Sequence, residues 1–296
     1  MNEKALLFGD GKSLVGVVTD PEPSATPLGR GVIILNAGVL HRVGPNRIHV
    51  QLARALSREG FVALRFDFSG IGDSRQAGGH EHFVRRAARE VTEAMDFLER
   101  SRGLSQFVVV GICAGADHGL QASLDDSRVR GAVLVDGYNR LSLGFGMALH
   151  RYRQKLLKPR SWLRFITGRS LTWTALRNLV ASRHSIRAVL APPDSTLPAP
   201  EEFVAQIQAL AGRGTDLLLV YTGISAAYYN YKRLLRRKVS SAPLRERVRI
   251  EHLADSDHLF TLRPNRERLV ELVRVWARDR AGRSEAATTA AVRAAH

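Results

Sequence analysis

The chain has 296 residues, of which 45% are hydrophobic and 24% charged, with a formal net charge of +16 and a sequence pI near 11. This balance excludes a disordered or fibrous chain and predicts a soluble globular protein. The single cysteine, Cys113, excludes an internal disulfide, so cysteine usage gives no sign of an oxidising compartment.

In chain order, KALLFG and SLVGVVTD, separated by Gly9-Asp10-Gly11, predict an antiparallel hairpin. GVIILNAG is a continuous apolar run, as expected of a strand buried on both faces. PNRIHVQLARALSREG has helical spacing, with Pro45 near its start and Gly60 closing it. FVALRFDF then reads as strand, HFVRRAAREVTEAMDFLERS as helix, QFVVVGI as strand, AGADHGLQASL as helix and VRGAVLVD as strand. This alternation predicts a mostly parallel sheet covered by helices. From Tyr138 to Ser195 the rhythm changes to a basic, aromatic, helical stretch broken by Pro159. After the APPDSTLPAP linker the sheet resumes with TDLLLVYTG and RVRIEHLA, and RPNRERLVELVRVWARDR supplies a final helix. The expected organisation is a core over 1–137 and 196–280, an inserted basic cap at 138–195 and a disordered tail at 281–296. There is no internal repeat.

The N-terminal MNEKALLFGDGK lacks the apolar core of a signal peptide. No stretch of about 20 residues is apolar enough to span a bilayer, so the expected location is the cytoplasm. The positive charge is uneven. No acidic residue lies between Asp136 and Asp194, and a second basic run, Lys232, Arg233, Arg236, Arg237 and Lys238, follows AAYYNY. Such stretches suit an anionic membrane surface, an acidic polysaccharide or an anionic substrate, or else form a solvated face. No helix-turn-helix, zinc or RNA-binding signature accompanies them, so no nucleic-acid partner is expected.

VVVGICAGADHG, Val108 to Gly119, places the only cysteine between a predicted strand and a predicted helix. GICAGA fits the nucleophile-elbow pattern, in which Gly111 and Gly115 let backbone segments approach closely around the nucleophile. At the helix N-terminus the backbone dipole favours a thiolate at Cys113, and the following amide, on Ala114, points to the same space as an oxyanion donor. The other reading of Cys113 is a small buried hydrophobe.

With this elbow the chain resembles the α/β-hydrolase superfamily over roughly residues 4–280, and its cysteine-dependent, dienelactone-hydrolase-like branch in particular. RVGPNRIHVQLARALSREGFVALRFDFSGIGDS is also similar to bacterial hydrolases found with exosortase and surface-polysaccharide systems. The resemblance implies an α/β-hydrolase fold: a mostly parallel eight-stranded sheet flanked by helices, with an inserted helical cap. It also implies that the LNAG turn, Leu35 to Gly38, supplies the second oxyanion amide, from Gly38 or Val39, and that Asp67 in the D-x-x-G-x-G-x-S string is structural.

The base is expected in the loop after the last strand, where His258 of ADSDHLF stands; His252 falls within the strand and His296 in the tail. The family's usual carboxylate after the penultimate strand is missing, because Leu217 to Arg245 contains no Asp or Glu. Asp136, ending the strand after the elbow helix, is the candidate acid, and Asn230 is the alternative orienter. Asp255 and Asp257 lie close to His258 in sequence and are not first choices.

The expected activity is hydrolysis of a small-molecule ester or acyl thioester, with Cys113 as nucleophile, His258 as base and no cofactor or metal. An acyltransferase of the same fold, or a non-catalytic module binding anionic surfaces or polymers, are the alternatives.

Overall fold

Residues 2–76, 83–137, 200–223 and 242–294 are described by the computed structural model. The expected cap at 138–195, Asn230 and the Lys232 to Lys238 run lie outside the described residues. All described elements belong to one compact unit, Met1–Tyr138 with Pro200–His296.

The N-terminal hairpin forms as expected: β1 (Asn2–Phe8) pairs antiparallel with β2 (Leu14–Asp20) across a short 3-10 turn, Asp10–Lys12. β3 (Gly31–Ile34), β4 (Val62–Phe66) and β5 (Phe107–Ile112) are buried at every position, as expected of strands covered on both faces; β3 and β5 are unbroken apolar runs, and β4 also buries Arg65, which pairs with Glu3. β6 (Val129–Val135), β7 (Asp216–Thr222) and β8 (Val248–Leu253) complete an eight-stranded sheet of order β1-β2-β4-β3-β5-β6-β7-β8. Only the β1–β2 and β2–β4 pairs are antiparallel.

Helices α1 (Ile48–Arg58), α2 (Phe83–Arg102) and α3 (Ala114–Asp125) connect the first parallel strands, and α6 (Arg263–Ala294) closes the chain. Two apolar clusters cover the sheet. One joins Ile48, Leu52 and Leu56 of α1 to Leu269, Val273 and Trp276 of α6. The other joins Val91, Met95 and Leu98 of α2 to Phe8, Phe66 and Phe68. Among the described residues no helix is long and apolar enough to cross a membrane.

Three segments differ from the sequence expectation. Helix α4 (Pro200–Gly212) follows the linker directly, with Phe203, Val204, Ile207 and Leu210 buried at helical spacing, and a short α5 (Ala242–Arg247) precedes β8. The final helix runs to Ala294, through residues expected to be a disordered tail; the stretch is rich in alanine, the strongest helix former.

The strand order also places the site. From β3 the chain moves one way to β4 and then crosses back to β5, so the loops after β3 and β5 diverge and leave a crevice at their C-terminal ends. Cys113 follows β5 there, and Asn36 to Val39 follow β3.

Candidate active site

Cys113 sits at the N-cap of α3 with φ 58° and ψ −127°. This conformation is costly for a side-chain-bearing residue and persists only where the surroundings impose it. Here the constraint comes from both sides. The Cys113 N–H bonds to the Val135 carbonyl at 2.8 Å, and its own carbonyl accepts the Ala116 N–H at 2.9 Å. A Cβ on Gly111 would overlap the Gly115 carbonyl, and one on Gly115 would overlap the Asn36 carbonyl. Both elbow positions therefore require glycine. Ala114 opens α3, so its N–H has no acceptor within the helix and is available at the cysteine.

The loop after β3 faces this turn. The Leu35 N–H bonds to the Val110 carbonyl at 2.9 Å, carrying the β3–β5 pairing to the loop, and the Leu40 N–H bonds to the Ala37 carbonyl at 3.2 Å. Gly38 and Val39 are the central residues of that turn, Gly38 with φ 60° and Val39 exposed. Buried Asn36 braces it: its amide donates to the Leu40 carbonyl at 2.7 Å and to Asp67 at 3.0 Å, and its carbonyl oxygen accepts the Phe68 N–H at 2.9 Å.

Asp67 is fully buried and accepts bonds from Asn36, from the Arg42 backbone and guanidinium, and from the Asp73 N–H. These contacts give it the structural role expected from its string. His41, Asp67 and Asp73 bring ligand-type atoms within 4.8 Å of one another, but the Arg42 guanidinium already pairs with both carboxylates and supplies the positive charge between them.

Asp136 ends β6, also at positive φ (50°), with its carboxylate buried. Oδ1 accepts the Thr222 N–H at 2.8 Å; Oδ2 accepts the Thr222 hydroxyl at 2.7 Å and lies 2.8 Å from His258 Nδ1. The Cys113 side chain is near enough to the His258 ring to act on its pKa. With Nδ1 turned to Asp136, Nε2 is left for the sulfur. The structure thus brings Cys113, His258 and Asp136 together, although they follow three different strands.

The hydrogen bond to Asp136, and after it the nearby Cys113 side chain, push the His258 pKa up from 6.5 to about 10 against the opposing effect of burial. An imidazole in this setting holds a proton firmly. The loop carrying it is fixed by Asp257, which accepts the backbone N–H groups of Leu259 and Thr261, and by Asn46, which donates to the Leu259 carbonyl at 3.0 Å. Asp257 therefore shapes the loop rather than facing the ring. His252 lies within β8, in register with Tyr221, and His296 is outside the described residues.

Thr222 is the site residue that the sequence reading missed. It ends β7, next to the place where the family's usual acid would follow, and instead of carrying a carboxylate it holds the one supplied by β6. Asn36 was likewise not singled out from the LNAG turn.

Residues 31–234 match the family described as alpha/beta hydrolase fold. The chain belongs to this family and is an α/β-fold hydrolase. No curated protein matches it in sequence. Among solved structures it is similar to an α/β serine hydrolase without lid from Xanthomonas campestris, at 17% identity, TM-score 0.52, over 93% of this chain and 95% of that one. It is also similar to an esterase domain from Rhodothermus marinus, at 14% identity, TM-score 0.53, over 94% and 98% of the two chains. An esterase from Pyrococcus furiosus gives 14% identity and TM-score 0.58 over 92% and 88%. At these identities the likeness establishes the shared fold.

Proposed function

We propose that the protein hydrolyses an ester or thioester through an acyl-enzyme on Cys113. The observation that carries this reading is the line from Asp136 through His258 to Cys113. The esterase names of two structural neighbours agree with the reaction class.

In the first half-reaction the Cys113 sulfur bonds to the substrate carbonyl carbon, and His258 holds the proton that the thiol gives up. The tetrahedral oxyanion lies against the amides of Ala114 and of Gly38 or Val39, which are fixed before substrate arrives. Collapse breaks the bond to the leaving alcohol or thiol, which takes the proton from His258. Water then attacks the acyl-enzyme, passes a proton to His258, and releases the carboxylic acid as Cys113 recovers its proton. Asp136, held by Thr222, stabilises the imidazolium formed in each half-reaction.

Four of the exposed large apolar side chains, Val39, Leu40, Leu259 and Leu262, lie on the loops that carry the oxyanion amides and His258. This rim suits an apolar acyl group. The basic stretches in the sequence suit an acidic leaving group or an anionic surface.

The reading is tested with p-nitrophenyl esters of increasing chain length and with acyl-CoA thioesters. Wild type should turn over at least one series, and Cys113→Ala should not. Equal turnover by both proteins would remove Cys113 from the chemistry.

A further inference from the structure

At the end of the sheet opposite Cys113, the starts of β3, β5, β6 and β7, the end of α5 and the helix α6 line an open cavity of about 390 Å³. Strand β5 separates the two places: Phe107 lines the cavity and Ile112 precedes the elbow, roughly 17 Å apart at the rise of a β-strand.

Five arginines line the cavity, Arg30, Arg130, Arg247, Arg280 and Arg283, against two carboxylates, Asp216 and Glu246. Asp216 is already engaged, with Arg247 and Arg280 each placing a guanidinium nitrogen 3.4 Å from Oδ1. These two arginines also donate to the Gly214 and Glu246 carbonyls at 2.9 and 2.6 Å, which fixes their orientation. Arg130 and Arg283 make no hydrogen bond or ion pair among the described residues. Burial lowers the Arg280 pKa, and although Asp216 opposes this, the like charges of Arg283, Arg247 and Arg249 add to it. The deeper wall is apolar, formed by Phe107, Val108 and Trp276.

We infer that this cavity binds a phosphorylated small molecule, its phosphoryl oxygens between Arg130, Arg280 and Arg283 and its remainder against the Phe107 and Trp276 wall. The guanidinium fork matches phosphoryl oxygens two at a time. Arg130 and Arg283 bring two positive charges without a described ion pair, which the roughly two negative charges of a phosphoryl group balance and a single carboxylate does not. The volume of about 390 Å³ falls in the range of small-molecule sites, so there is room for more than a bare ion.

The test measures binding by calorimetry and thermal shift with inorganic pyrophosphate and, separately, a nucleoside diphosphate, each against sodium chloride of equal ionic strength. Both probes should bind and raise the melting temperature beyond the chloride control. Tighter binding of the nucleoside diphosphate assigns an organic phosphate as the natural occupant, and tighter binding of pyrophosphate assigns free polyphosphate. Arg130→Gln with Arg283→Gln, which breaks no described ion pair, should keep the unliganded melting temperature and weaken pyrophosphate about tenfold or more, the effect of losing a charge-assisted hydrogen bond. Binding should persist in Cys113→Ala, so the outcome does not depend on the proposed hydrolase chemistry. A stabilisation matched by chloride, or one untouched by the double substitution, overturns the site.

Discussion

Asp136 and His258 stand 122 positions apart in sequence, yet Oδ2 of one lies 2.8 Å from Nδ1 of the other. The carboxylate reaches the ring from the end of β6 because Thr222, at the end of the adjacent β7, pins both of its oxygens. Asp136→Asn keeps the shape but offers a neutral amide where the imidazolium needs a negative charge. We expect kcat to fall on the order of 100-fold with little change in KM. Thr222→Val removes one of the donors that hold the carboxylate, and about a tenfold loss in kcat is expected. Steady-state kinetics of the two variants checks both. A Thr222→Val enzyme slower than Asp136→Asn would show that the threonine acts other than through the acid.

The backbone at Cys113 gives a stability prediction separate from catalysis. At φ 58° and ψ −127°, any residue with a Cβ is strained and glycine is not. Cys113→Gly should therefore be more stable than Cys113→Ala by about 1–2 kcal/mol, although neither has a sulfur. Urea denaturation of the pair measures the difference. Alanine equal to or more stable than glycine would mean that the turn carries no such strain.

The pH dependence follows from His258. Its folded pKa of about 10 lies above the ordinary 6.5, so its interactions with Asp136 and Cys113 add stability that is fully present below about 6.5 and is lost as the pH rises through about 10. The stability gap between wild type and Asp136→Asn should therefore narrow from pH 6.5 to pH 10. The His258 ring signal in an NMR titration should move near pH 10, and a midpoint near 6.5 would contradict the pairing.

Asp67 and Asp136 are both buried acids, and substitution separates their roles. Asp67→Ala leaves the Arg42 guanidinium and the Asn36 amide without their shared acceptor, at a cost of about 3–5 kcal/mol. Asp136→Asn should lose activity, and near pH 10, where its hold on His258 no longer adds stability, it should cost far less in folding than Asp67→Ala. Denaturation midpoints of the two variants decide it.

Much of this site was legible because its signals are local. An elbow is a short string on one turn, so GICAGA located Cys113, and a histidine soon after the last apolar strand located His258. Asp136 could be picked out because the loop after β7 lacks an acid and β6 ends on one. Thr222 could not, because its role exists only through the parallel β6–β7 pairing, a relation between strands more than eighty residues apart. Helix α4 was hidden for a different reason: its Pro200 start follows a proline-rich linker, and proline is accommodated in a first helical turn.

The central claim is that a covalent intermediate forms on Cys113. Intact-mass measurement of protein quenched during turnover of a p-nitrophenyl ester tests it most directly. The account predicts a population heavier by one acyl group, mapped by peptide digestion to Cys113 and absent from Cys113→Ala. Turnover with no adduct in wild type, or an adduct of the same yield in Cys113→Ala, would contradict it.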